Sequence, residues 1–96
     1  MKLNDNHYNL IFAFEQFYDF SVLNDLNDFS LTISNSYFIN GKFRYLGYSF
    51  AFNYNSLDAS LLCSYKSFSS NILTKRFSNV SSFIEFIETA FINVNR

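Results

Sequence analysis

A chain of 96 residues and 11.3 kDa has room for one domain, expected to span residues 1–96. With 49% hydrophobic residues, no proline and two glycines, it is neither a disordered segment nor a linker. Seven basic and eight acidic side chains give a formal charge of -1, which excludes affinity built on a uniformly positive surface, and the lone Cys63 excludes an intrachain disulfide or a multi-cysteine metal site.

The first element, from about Asp5 to Phe20, reads as a helix. At roughly 100° per residue, Leu10, Ile11, Phe14, Phe17 and Tyr18 share one arc, and Asn9, Glu15, Gln16 and Asp19 lie opposite. Asn4, Asp5 or Asn6 supplies the N-cap. Phe12 falls on the polar arc and Tyr8 at its margin, so both are apolar outliers. The run Leu10–Phe14 has no basic flank and no cleavage site, so it belongs to the fold rather than to a targeting signal, and no stretch approaches the roughly 20 apolar residues of a membrane span. Together with the lone cysteine, this points to a soluble, cytoplasmic protein.

Ser21 to Asp28 suits a turn or a short extra helical turn. From Phe29 the period becomes two, Phe29, Leu31 and Ile33 alternating with Ser30, Thr32 and Ser34. Asn40-Gly41 is the strongest hairpin signal in the chain, because a type I′ turn needs positive φ at both central residues. A two-residue loop there opposes Ile33 to Tyr48, Leu31 to Phe50 and Phe29 to Phe52, collecting six apolar residues on one face and Ser30, Thr32, Ser34, Gly47, Ser49 and Ala51 on the other. The same register puts Phe38, Phe43 and Tyr45 on the small-residue face, with Lys42 and Arg44 on the core side.

Asn53 to Ser56 reads as a turn, and Leu57, Ala59, Leu61, Cys63 and Tyr65 alternate with polar residues in a third strand, Leu62 excepted. A fourth strand over Ile72 to Phe77 follows the serine cluster at 67–70. In the final helix Val80, Phe83, Ile84, Ile87, Ala90, Phe91 and Val94 share an arc opposite Ser81, Glu85, Glu88, Thr89 and Asn93, with Ser82 and Glu85 as a capping box and Ile92 as the outlier. The expected fold is α+β: an N-terminal helix, an antiparallel three- to four-stranded meander and a C-terminal helix, both helices packed on one sheet face.

Catalytic chemistry finds few residues to work with. His7 is the only histidine and falls in the first turn of a helix, a capping or solvated position, while Cys63 lies on the apolar side of a strand, where a thiol is an inert small hydrophobe. There is no phosphate loop, zinc spacing or dinucleotide fingerprint, so neither an enzyme nor a cofactor or metal is expected.

Leu46-Gly47-Tyr48-Ser49-Phe50-Ala51-Phe52 resembles the octapeptide of the RNA-recognition motif, and that resemblance implies base stacking on alternating aromatics. The hairpin register instead places Tyr48 and Phe50 in the core. The order helix, three strands, helix is similar to the double-stranded-RNA-binding domain, a likeness of topology alone, and Ser78-Asn79-Val80-Ser81-Ser82 stands where that family has its basic cluster.

The expected function is therefore non-enzymatic protein binding. Tyr37, Phe38, Lys42, Phe43, Arg44 and Tyr45 at the hairpin tip combine the aromatic and arginine side chains enriched at interface hot spots, with Tyr8, Phe12 and Ile92 as secondary candidates. A stoichiometric inhibitor of another protein, of the toxin-immunity or phage anti-defence kind, uses such a surface to cover its target. The alternatives are a nucleic-acid binder using Lys42, Arg44, Lys66, Lys75 and Arg76, and a homodimer whose aromatic patch pairs with itself.

Overall fold

The computed structural model describes residues 5–67 and 71–95, with side chains described over 8–67 and 71–94. The candidate cap Asn4, the side chains of Asp5, Asn6 and His7, and the last three residues of the serine cluster lie outside the described residues. In chain order the elements are α1 (Asp5–Leu23), β1 (Asn27–Ser34), β2 (Phe38–Tyr45), β3 (Tyr48–Asn55), β4 (Ser60–Ser67), β5 (Leu73–Phe77) and α2 (Val80–Ile87), followed by a π-helical turn (Glu88–Ile92) and a short 3-10 turn (Asn93–Asn95). The strands form one antiparallel sheet in the order β1-β2-β3-β4-β5. This is the expected α+β order, with five strands in place of three or four.

The extra strand comes from a correction to the register. The chain does not turn at Asn40-Gly41, which lie in the middle of β2; it turns at Asn35-Ser36 and again at Leu46-Gly47. All four of these turn residues have positive φ, at 52°, 62°, 45° and 85°, as a type I′ turn requires, and the Tyr37 N–H closes the first turn on the Ser34 carbonyl at 3.3 Å. Burial explains the choice. A turn at Asn40-Gly41 would expose Phe43 and bury Lys42 and Arg44. The observed register puts Ile39, Gly41, Phe43 and half-buried Tyr45 on the core face and turns Asn40, Lys42 and Arg44 outward. Burying Phe43 and Ile39 contributes about 1.5–3 kcal/mol each and avoids desolvating two charges, more than any local turn preference offers.

Gly41 has a different role from the one expected of it. It stands directly opposite Phe52 in the β2–β3 ladder, and a Cβ at Gly41 would overlap the far end of the Phe52 ring. The ring closes over the glycine because no side chain competes for that space.

The core is a continuous set of rings. Phe43 stacks on Phe50 at 4.6 Å, Phe50 on Tyr65 at 5.8 Å, and Phe52 meets Phe17 of α1 at 4.6 Å and Phe83 of α2 at 5.2 Å. Phe83 also meets Phe17, Phe20 and Phe77 edge-on. Such offset and T-shaped pairs add about 0.5–1.5 kcal/mol each beyond area burial. Phe50 is buried, so the strand resembling the RNA-recognition octapeptide offers no stacking platform there.

Both helices depart from the expected faces. In α1 the buried residues are Leu10, Ala13, Phe17, Phe20 and Ser21; the helix is rotated so that Phe20 reaches Phe43 and Phe83, and Ile11 and Tyr18 are exposed. At the other end Asn79, not Ser82, caps α2, its side chain accepting the Ser82 N–H at 2.8 Å. The π-helical turn then adds a residue to the last turn, the Asn93 N–H reaching the Glu88 carbonyl while the Thr89 hydroxyl donates to the Glu85 carbonyl at 2.8 Å. That extra residue swings Ile92 into the core at 3% exposure and turns Ala90 and Val94 outward.

Candidate binding surface

Alternation in the strands assigns the two sheet faces opposite chemistry. One face carries the aromatic rows just described. The other carries Ser30, Thr32 and Ser34 of β1, Asn40, Lys42 and Arg44 of β2, Ser49, Ala51 and Asn53 of β3, Leu62, Ser64 and Lys66 of β4, and Thr74 and Arg76 of β5. Register aligns these residues into cross-strand rows. Arg44 opposes Ser49, which opposes Lys66; Lys42 opposes Ala51, which opposes Ser64 and then Thr74.

The two rows enclose a shallow groove of about 520 Å³, walled by Lys42, Arg44, Lys66, Asp28 and Ile72 and floored by Ser49, Ala51 and Ser64. Short floor side chains leave the space, and the long basic ones on either side define it. Asp28, set at a positive φ of 54° beside an irregularity at the start of β1, is 3.5 Å from Arg44. Both side chains are largely exposed, so this pair adds little stability and leaves Arg44 available. A second polar row is held more firmly: Asn40 accepts from the Asn53 amide and donates to the Ser34 hydroxyl at 3.0 Å. Arg76, in the row of Asn40 and Asn53, lies near Asp58, whose carboxyl is held below its usual range chiefly by the Ser60 N–H and hydroxyl.

The residues anticipated as one hairpin tip are thus distributed over the fold. Phe43 is 1% exposed and Tyr45 is half-buried against the core, so neither forms an exposed anchor; Tyr37 and Phe38 sit at the β1–β2 turn with rings 4.8 Å apart; Lys42 and Arg44 reach the groove. Of the secondary candidates, Tyr8 and Phe12 are exposed on α1, and Ile92 is in the core. Lys75 departs from the other cations as well, its ammonium lying 4.4 Å from the Phe86 ring centroid on the aromatic side. Lys66 and Ser64 reach the groove through the same two-residue period that buries Cys63 and packs the half-buried Tyr65 against the core, a signal legible in the β4 alternation.

Cys63 is fully buried, and burial pushes its thiol up to about 12, far from the range of a nucleophilic cysteine. Among the described residues no group of three His, Cys, Asp or Glu side chains could hold a metal ion, and no helix is long and apolar enough to cross a membrane. Comparison of the chain with protein-family models, with curated proteins and with solved structures finds no match.

Proposed function

We propose that this protein is a non-enzymatic binding module that inhibits another protein stoichiometrically, as toxin-immunity and phage anti-defence proteins do, by covering its active or substrate-binding surface. In this reading both helices cover the aromatic face of the sheet in the cytoplasmic protein, and the polar face is the docking surface. The observation that carries the reading is the convergence of Lys42, Arg44 and Lys66 around an uncharged floor in a chain of net charge -1. Asp28 is the one acid in the groove wall, and the exposed Glu15 and Asp19 on α1 and Glu85 on α2 lie outside it. The partner surface that fits is acidic, with small or apolar groups able to approach Ser49 and Ala51 closely.

The test is capture from nuclease-treated native extract by the immobilised full chain, beside a Lys42→Glu/Lys66→Glu variant of unchanged circular dichroism. A single protein held at equal stoichiometry by the wild type and lost from the variant supports the reading. Equal retention by both removes the polar face from it.

The same cations favour a second reading, a nucleic-acid binder. It predicts recovery only without nuclease and an affinity falling steeply with salt. Single-stranded recognition relies on base stacking, and the aromatic residues along this groove, Phe43, Phe50 and Tyr65, stack their rings on one another on the core face.

A further inference from the structure

The two edges of the sheet differ. β5 has five residues, with Lys75 and Arg76 at its centre, and a short, charged edge strand resists pairing with other chains. β1 has eight residues, and over Ser30-Leu31-Thr32-Ile33-Ser34 it carries neither charge nor proline. Among the described residues no strand pairs with its outer side. The aromatic layer is also unfinished there. Ile33 points to the core face yet remains 49% exposed, and with Leu10, Ile11 and Phe14 it lines a largely apolar groove of about 250 Å³ between α1 and β1, with exposed Glu15 at its margin.

We propose that β1 pairs antiparallel with β1 of a second copy, joining the two sheets into one ten-stranded sheet. A two-fold interface must be self-complementary, because each residue type meets its own surface. This segment meets that condition about an axis at Thr32. Leu31 then opposes Ile33 of the second copy on the core face, and Ser30 opposes Ser34 on the polar face. The strand's one charge, Asp28, opposes Ser36 in the turn, so no like charges face each other. The two apolar grooves then lie on either side of the axis and close over the paired Leu31 and Ile33. The pairing leaves the Lys42–Lys66 groove uncovered, so it stands or falls independently of the proposed inhibition.

Sedimentation equilibrium of the full chain from low to high micromolar concentration is expected to give twice the 11.3 kDa chain mass. Hydrogen exchange should show the outward-pointing amides of residues 30–34 protected in a concentration-dependent way. Ile33→Lys should be monomeric with unchanged circular dichroism, and Leu73→Lys on the opposite edge should remain dimeric; Thr32→Lys serves if Ile33→Lys fails to fold. A wild-type chain that stays at 11.3 kDa, its edge open to an extended segment of some other protein, overturns the proposal. A dimer that survives either β1 lysine, that Leu73→Lys dissolves, or that leaves the 30–34 amides unprotected overturns it as well.

Discussion

The two faces of the sheet are built from the same strands, residue by residue in alternation, yet they obey different rules. On the aromatic face Phe43, Phe50 and Phe52 are each held by two or more rings, and room for one of them depends on a missing side chain at Gly41. On the polar face the immediate neighbours Lys42, Ser49 and Ala51 are exposed. One face is therefore specified by packing and resists change, whereas the other is free of that constraint. The contrast is sharpest between Lys42 and Phe43, adjacent in sequence and opposite in environment.

The largest expected effect breaks the aromatic face: Phe43→Ala should destabilise by about 3–5 kcal/mol in urea unfolding, while Lys42→Ala should stay within about 0.5 kcal/mol. Equal effects would mean the faces are not distinguished by packing. Next, Gly41→Ala forces the Phe52 ring to move and should cost about 1–3 kcal/mol without adding any polar group, against almost nothing for Ala51→Ser across the ladder. A tolerated Gly41→Ala would show that the ring has room to spare.

The smallest effect at neutral pH is the buried thiol. Burial raises Cys63 from 9.0 to about 12, so the folded state favours the protonated form. Its contribution is fully present below pH 9 and is lost as pH rises toward 12, where the unfolded chain releases a proton that the folded chain keeps. Burial also raises the buried Tyr54 phenol, with the Asp58 charge adding to it, and acts in the same direction. Cys63→Val should flatten part of the alkaline decline in unfolding free energy, and the wild-type thiol should resist disulfide reagents until the protein unfolds.

The element order was legible from periodicity, as was membership of the core for Leu10, Phe17, Phe50, Cys63, Phe83 and Ile87, since strand alternation and helix arcs are local properties of the chain. Asn40-Gly41 was misleading because its local preference for a turn is real but small, whereas moving the turns to Asn35-Ser36 and Leu46-Gly47 buries Phe43 and frees two cations. Ile92 was misplaced because the π-helical turn that rotates it inward has no periodic signature in the sequence.

The candidate binding surface was legible only in fragments. Ser49 and Ala51 stood out as a small-residue face, and Lys42, Arg44 and Lys66 as cations, but nothing in the linear order brings them together. The sequence by itself determined the helix–sheet–helix order and the two-residue alternation that separates an aromatic face from a polar one. Tertiary structure alone decided the register, and with it which cations share a groove, because register is chosen by the summed burial of residues on three strands at once and not by the turn between any two of them.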